Sequence, residues 1–201
     1  MVFKNNEDIF AYTESEQGTL RSNYFSNYII PIVEHEPWAH TQNPIPPGIM
    51  PKAINFICSK LAKAVYKPSQ GSYHSQWFFE LKKDSGPRPL IDLQTLNSVT
   101  IQDAGLPPII DSFIEPFAGY SIYSGFNLLS GYDARILHLK SRDLTAFQMP
   151  LGLLHYTCLP QGFTNSVAEF QNCMTFILQD EIPHIVGIMI DNIGIKGPKT
   201  R

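Results

Sequence analysis

The stretch that most constrains this chain is Ile185-Val186-Gly187-Ile188-Met189-Ile190-Asp191-Asn192-Ile193-Gly194-Ile195-Lys196. Two apolar runs rich in β-branched residues flank Asp191-Asn192. Branched side chains favour the pleated surface of a strand, and Asp and Asn tolerate turn backbone. The stretch therefore predicts a β-hairpin with Asp191-Asn192 at or near its tip. Alone, Asp-Asn is an ordinary turn filler. It gains weight from Tyr123-Ser124-Gly125-Phe126-Asn127-Leu128-Leu129-Ser130-Gly131-Tyr132, a second strand-like run with a polar residue set into it. Between the two lies Leu159-Pro160-Gln161-Gly162-Phe163-Thr164-Asn165-Ser166, a loop that opens a helix.

Length and composition set the frame. The 201 residues suffice for one domain with a real core or for two small lobes. A hydrophobic share of 43% marks a globular chain and not a disordered one. No apolar run reaches the length of a membrane span, and the N-terminal residues lack a signal peptide's basic and apolar regions, so an intracellular protein away from membranes is expected. Cys58, Cys158 and Cys173 are far apart and have neither metal nor redox spacing; they read as reduced, mostly buried residues. The net charge of −3 is a poor match to a nucleic-acid binder taken whole. Its distribution matters, because residues 1–36 carry six acids against Lys4 and Arg21, which leaves a near-neutral remainder.

Residues 1–50 read as an extended lead-in or linker, with Pro37, Pro44, Pro46 and Pro47 forbidding a helix before Pro51. From Pro51 to Tyr66 a helix is expected, with Pro51 in its first turn and Ile54, Ile57, Leu61 and Val65 at helical spacing. Trp77–Leu81 and Pro89–Leu93 predict strands around a charged turn. Pro107 to Gly119 predicts a helix with Ile110, Phe113, Ile114 and Phe117 on one face. Residues 145–149 and 155–159 predict two more strands. The segment 164–179 predicts a helix opened by a Ser166-x-x-Glu169 capping box, with Phe170, Met174, Ile177 and Leu178 as its stripe.

A strand with a polar residue, a Leu-Pro-Gln-Gly loop with its helix, and a hairpin with an acid at its tip resemble the palm of a reverse transcriptase. Within that group the chain is similar to gypsy-type LTR retrotransposon polymerases, from about Tyr24 to Arg201. The resemblance implies an α+β fold in residues 51–201: fingers and a partial palm, with an antiparallel sheet and helices packed on one face. It also implies that the chain ends before the rest of the palm and the thumb, as a truncated copy.

For the site, the resemblance implies three carboxylates that hold two magnesium ions for nucleotidyl transfer, since magnesium seeks several anionic oxygens. Two of the three positions depart from it. Asn127 and Asn192 stand where the family has Asp, leaving Asp191 as the remaining metal ligand of the catalytic set. A neutral amide does not offset the repulsion between two cations and a triphosphate, so weak magnesium binding and little or no polymerase activity are expected. Lys82, Lys83 and Arg88 match residues that contact the incoming nucleotide, Tyr132 matches the position over which its sugar packs, and Gln161 and Gly162 match the neighbouring loop. Without the resemblance, the three cations are a solvated hairpin and Tyr132 a core tyrosine. The partners implied are an RNA template with a DNA primer and a deoxynucleotide. An exposed palm edge, with the strands of 185–195 as the contact, implies self-association. The alternative from another class is a non-enzymatic nucleic-acid-binding or interaction module that reuses the fold.

Overall fold

The computed structural model describes residues 11, 13, 16–42, 44–82, 86–105 and 107–199, with backbone alone for 79–82 and 86–88. The chain divides into two compact bodies. Asp103–Ala134 and Asn165–Arg201, with Met1–Thr19, make the first; Leu20–Gln102 and Arg135–Thr164 make the second.

The second body begins at Leu20. Residues 28–40 are bridged within it at Tyr28↔Leu137, Ile32↔Thr100 and Ala39↔His74. Ile30 and Trp38 are buried, and the Trp38 indole donates to Ser75 Oγ at 3.1 Å. Helix α1 (Met50–Ala62) has Pro51 in its first turn and buries Ala53 and Ile57. It stops short of the expected Tyr66. Ala64 turns into the left-handed region at φ 56°, and Tyr66 instead opens strand β1 (Tyr66–Pro68). The override is tertiary, because Val65 and Tyr66 are both buried and the Tyr66 ring meets Phe147 edge-on at 5.1 Å.

Strands β2 (Trp77–Lys82) and β3 (Gly86–Ile91) form the expected antiparallel hairpin, with Trp77 opposite Ile91 and Lys82 opposite Gly86. The short helix α2 (Gln94–Val99) follows and buries Leu96. Farther on, α4 (Leu139–Arg142) leads to β5 (Phe147–Met149) and β6 (Gly152–Tyr156), which pair with β1 in the order β1-β6-β5. Asp143 ties this body together: its Oδ1 accepts from Ser69 Oγ at 2.7 Å and lies 2.9 Å from His155 Nδ1. Burial opposes the charged form of Asp143, but the two hydrogen bonds and the charge of His155 outweigh it and hold the carboxyl below its ordinary 3.8.

The first body holds the hairpin. Strands β7 (Val186–Met189) and β8 (Asn192–Lys196) pair antiparallel, and β4 (Tyr123–Asn127) adds to the far side of β8, giving the order β4-β8-β7. Strand alternation separates two faces. Val186 and Ile188 point to one face and pack with Phe170 and Met174 of helix α5 (Ser166–Ile177), with Ile193 and Ile195 beside them. On the other face Gly125, Gly194 and Gly187 stand in one cross-strand row. Helix α3 (Ile110–Ile114) and a 3-10 turn (Glu115–Phe117) set Phe113 and Phe117 against Gly187 and Gly194 of this row. A Cβ on Gly187 would meet Phe117 at 2.8 Å, and one on Gly194 at 2.6 Å, so the ring occupies the space that side chains there would need.

Several expectations shift here. Residues 107–119 give five helical residues and a 3-10 turn, with Ile110 and Ile114 exposed. The expected N-cap shifts: Asn165 is the N-cap, its own side chain makes no cap hydrogen bond, and Ser166 lies inside the helix. Asn165 Oδ1 instead accepts from the Asp103 amide at 3.0 Å, so the tertiary partner displaces the local one. Among the cysteines, Cys158 and Cys173 are buried but Cys58 is exposed.

Candidate active site

The hairpin register fixes the tip. Met189 pairs with Asn192, so the two-residue turn is Ile190-Asp191, and Asn192 is the first residue of β8. Ile190 has φ 60°. A left-handed first turn position is ordinarily glycine's, and a β-branched residue there costs about 1–3 kcal/mol. The neighbouring strand completes the site, because Asn127 is the direct cross-strand partner of Asn192. Residues 127, 191 and 192 therefore converge, as the sequence predicts.

Their chemistry is a relay. Asn192 Nδ2 donates to Asp191 Oδ1 at 3.0 Å, and Asn127 Nδ2 donates to Asn192 Oδ1 at 3.2 Å. The direction is set at one end: an ionised carboxylate only accepts, so Asn192 must turn its amide nitrogen to it and its oxygen to Asn127. Each amide thus points its positive end toward Asp191. A pair of magnesium ions requires the reverse, several oxygens converging on each cation. Among the described residues no group of three His, Cys, Asp or Glu side chains is placed to hold a metal. The donor set does not fit a two-magnesium site.

Tyr132 lies in a 3-10 turn (Gly131–Ala134) of the same body. Its ring stands edge-on to Phe170 at 5.2 Å, and Gly131 lies so close that an added Cβ would be 2.6 Å from the Phe170 ring. Burial chiefly, and then the charge of Asp191, push the Tyr132 hydroxyl above its ordinary 10.0. The ring is partly buried against the cluster of Phe170 and Met174.

The remaining predicted residues belong to the second body. Gln161 and Gly162 are exposed on the loop that precedes α5, where Gly162 takes φ 90°. Lys82 and Arg88 lie on the β2–β3 hairpin, where the backbone alone is described, and Lys83 lies outside the described residues. Two carboxamides that sequence reasoning missed brace these loops. Asn97 of α2 donates to Gly162 O and accepts from Thr164 N, both at 2.9 Å, spanning the Gln161-Gly162 loop. Gln171 of α5 accepts from the Ile190 amide at 2.7 Å. A signal existed for the second: Gln171 falls three residues before Met174 and seven before Leu178, a polar residue on an apolar stripe.

The class follows from the fold. Foamy virus protease-reverse transcriptase superposes over 98% of this chain with a TM-score of 0.86 at 23% identity, the chain covering 26% of that structure. The foamy viral enzyme in complex with an RNA/DNA hybrid gives 0.87 over 99%, at 19% identity. The chain has the reverse-transcriptase fold. No family model matches it. Its curated relatives are retrotransposon polyproteins: the Pol polyprotein of transposon opus from Drosophila melanogaster is 29% identical over 80% of the chain. That of transposon gypsy from the same fly is 25% identical over 80%, and the Tf2-3 polyprotein of Schizosaccharomyces pombe 25% over 94%. The chain spans only 17%, 16% and 14% of those three polyproteins. In fold it resembles reverse transcriptases, and in sequence it is similar to retrotransposon Pol polyproteins, gypsy among them. Among the described residues no helix is long and apolar enough to cross a membrane.

Proposed function

We propose that this domain engages nucleic acid through a reverse-transcriptase-type scaffold whose palm tip no longer supports efficient nucleotidyl transfer. The observation that carries the reading is the Asn127→Asn192→Asp191 hydrogen-bond series. The two carboxamides bring no charge, and Asn192 occupies an oxygen of the one carboxylate at the three positions, where transfer of a nucleotide needs charge to stabilise a metal pair and a triphosphate. What remains for magnesium is a weak contact at Asp191. In this reading residues 51–201 carry fingers and palm, and residues 1–50 lead in to them. By the resemblance, Lys82, Lys83 and Arg88 are the candidates for phosphate contact, and Tyr132, Gln161 and Gly162 the candidates for nucleotide contact. Binding of an RNA/DNA or DNA duplex is supported by solved relatives bound to a hybrid and to double-stranded DNA.

Two assays on the chain test this. Affinity for a fluorescent RNA–DNA template–primer should fall with rising salt, as phosphate contacts release counterions. Primer extension with magnesium and deoxynucleotides should give no product above background. Efficient extension would refute the impaired site, and absence of salt-dependent binding would refute the nucleic-acid reading.

A further inference from the structure

Helix α5 and the β7–β8 hairpin lie in one body, and a carboxamide joins them at the tip. Gln171 Oε1 accepts from the Ile190 amide at 2.7 Å, while its Nε2 lies 3.4 Å from Ile188 O and 3.4 Å from Thr175 Oγ1. A single side chain thus grips the backbone at the first turn residue and again two residues before it. The residue it grips is Ile190, whose φ of 60° is a conformation that a β-branched side chain avoids. Turn geometry then determines where the next residue, Asp191, projects. Thr175, one helical turn beyond Gln171, completes the cradle on the helix side.

We propose that Gln171 is the positioning residue of the tip: by holding Ile190 left-handed, it sets where the Asp191 carboxylate meets Asn192. The inference takes the importance of Asp191 from the proposed function, but its geometry does not depend on that reading. The chemistry asks for a carboxamide. Glutamate accepts from the Ile190 amide but cannot donate to Ile188 O, and methionine fills the volume while doing neither. Glycine at position 190 adopts a positive φ without steric penalty, so Ile190→Gly should remove the need for the grip.

Amide hydrogen exchange and carboxyl carbon shifts in the full chain test the idea. In Gln171→Met the Ile190 amide should exchange about tenfold or more faster while buried amides of α5 keep their rates, because opening is confined to the turn. The Asp191 carboxyl resonance should move in the same variant, a change that loss of packing alone would not direct to that group. Gln171→Met combined with Ile190→Gly should return the Asp191 resonance toward its original position. Unchanged Ile190 exchange and an unmoved Asp191 signal in a folded Gln171→Met chain would overturn the proposal. If Gln171→Met fails to fold, the double variant decides. Recovery of folding supports a grip on a strained turn, and failure assigns Gln171 to helix packing and overturns it. None of these readouts involves nucleic acid, so failed template–primer binding would count against the proposed function alone.

Discussion

At the scale of residues, two asparagines beside Asp191 make the tip a hydrogen-bond series. Replacing Asn127 and Asn192 together by Asp raises the charge of the cluster from −1 to −3 and removes both amide donors. Without magnesium the double variant should be less stable than the parent, since three carboxylates then repel at contact distance. With magnesium at 100 times its dissociation constant, binding should restore about 2.7 kcal/mol. Thermal melts with and without magnesium check this: a magnesium-dependent rise in the variant and none in the parent are expected. Asp143 offers a second residue-scale test. Its carboxyl is held below the ordinary value in the fold, so its contribution is complete above the unfolded value. That contribution is lost as pH falls through the lower folded value. Asp143→Asn should lower stability at neutral pH and flatten this part of the acid denaturation curve; its side chain is 45% exposed, which keeps the effect modest.

At the scale of elements, the glycine row ties the sheet to the aromatic pair of α3. Phe117 sits over Gly187 and Gly194, and the buried Lys196 places its ammonium 5.3 Å from the same ring while donating to Pro183 O. Adding a side chain at residue 194 must displace the ring. Gly194→Val should cost about 1–3 kcal/mol through overpacking. Phe117→Ala opens that space, so combining the two should cost less than the sum of the single changes, and denaturant unfolding of the three variants measures the coupling. The row also shows why the hairpin carries glycines where strand propensity alone would favour branched residues. The aromatic cover, and not the ladder, selects them.

For the whole molecule, the sheet that holds the hairpin has two edge strands, β4 and β7. Strand β8 is the middle of its sheet; β7 is an edge whose Val186 and Ile188 are buried with α5, while Ile185 before it is exposed. The edge strand β4 is open: Tyr123, Ser124, Gly125 and Asn127 are exposed. No charge occurs from Tyr120 to Tyr132 to discourage pairing with another strand. If the chain self-associates, β4 is the edge that should carry it. Light scattering at roughly tens of micromolar should show particles larger than a monomer, and Ser124→Lys should reduce them. A monodisperse parent would sink the prediction.

How much of this was legible in the sequence follows from the range of the forces involved. Short-range rules sufficed for the 77–91 hairpin, the strand of Asn127, the 186–196 hairpin and the helix after Gln161-Gly162, because alternation, propensity and turn residues act within a few positions. They also placed Asp191 and the two asparagines in order, and cross-strand pairing did the rest. The structure alone decided what depends on distant partners. Helix α1 ended early because Tyr66 was drawn into a sheet with Tyr156, ninety residues on. Asn165 gave its oxygen to Asp103. Gln171 found the hairpin turn across the body, and the direction of the amide relay depended on which groups faced one another. Local periodicity fixes which segments become strands or helices; a side chain's hydrogen-bond partner is settled only when the chain has packed, because burial makes an unpaired polar group costly and tertiary proximity decides which partner satisfies it.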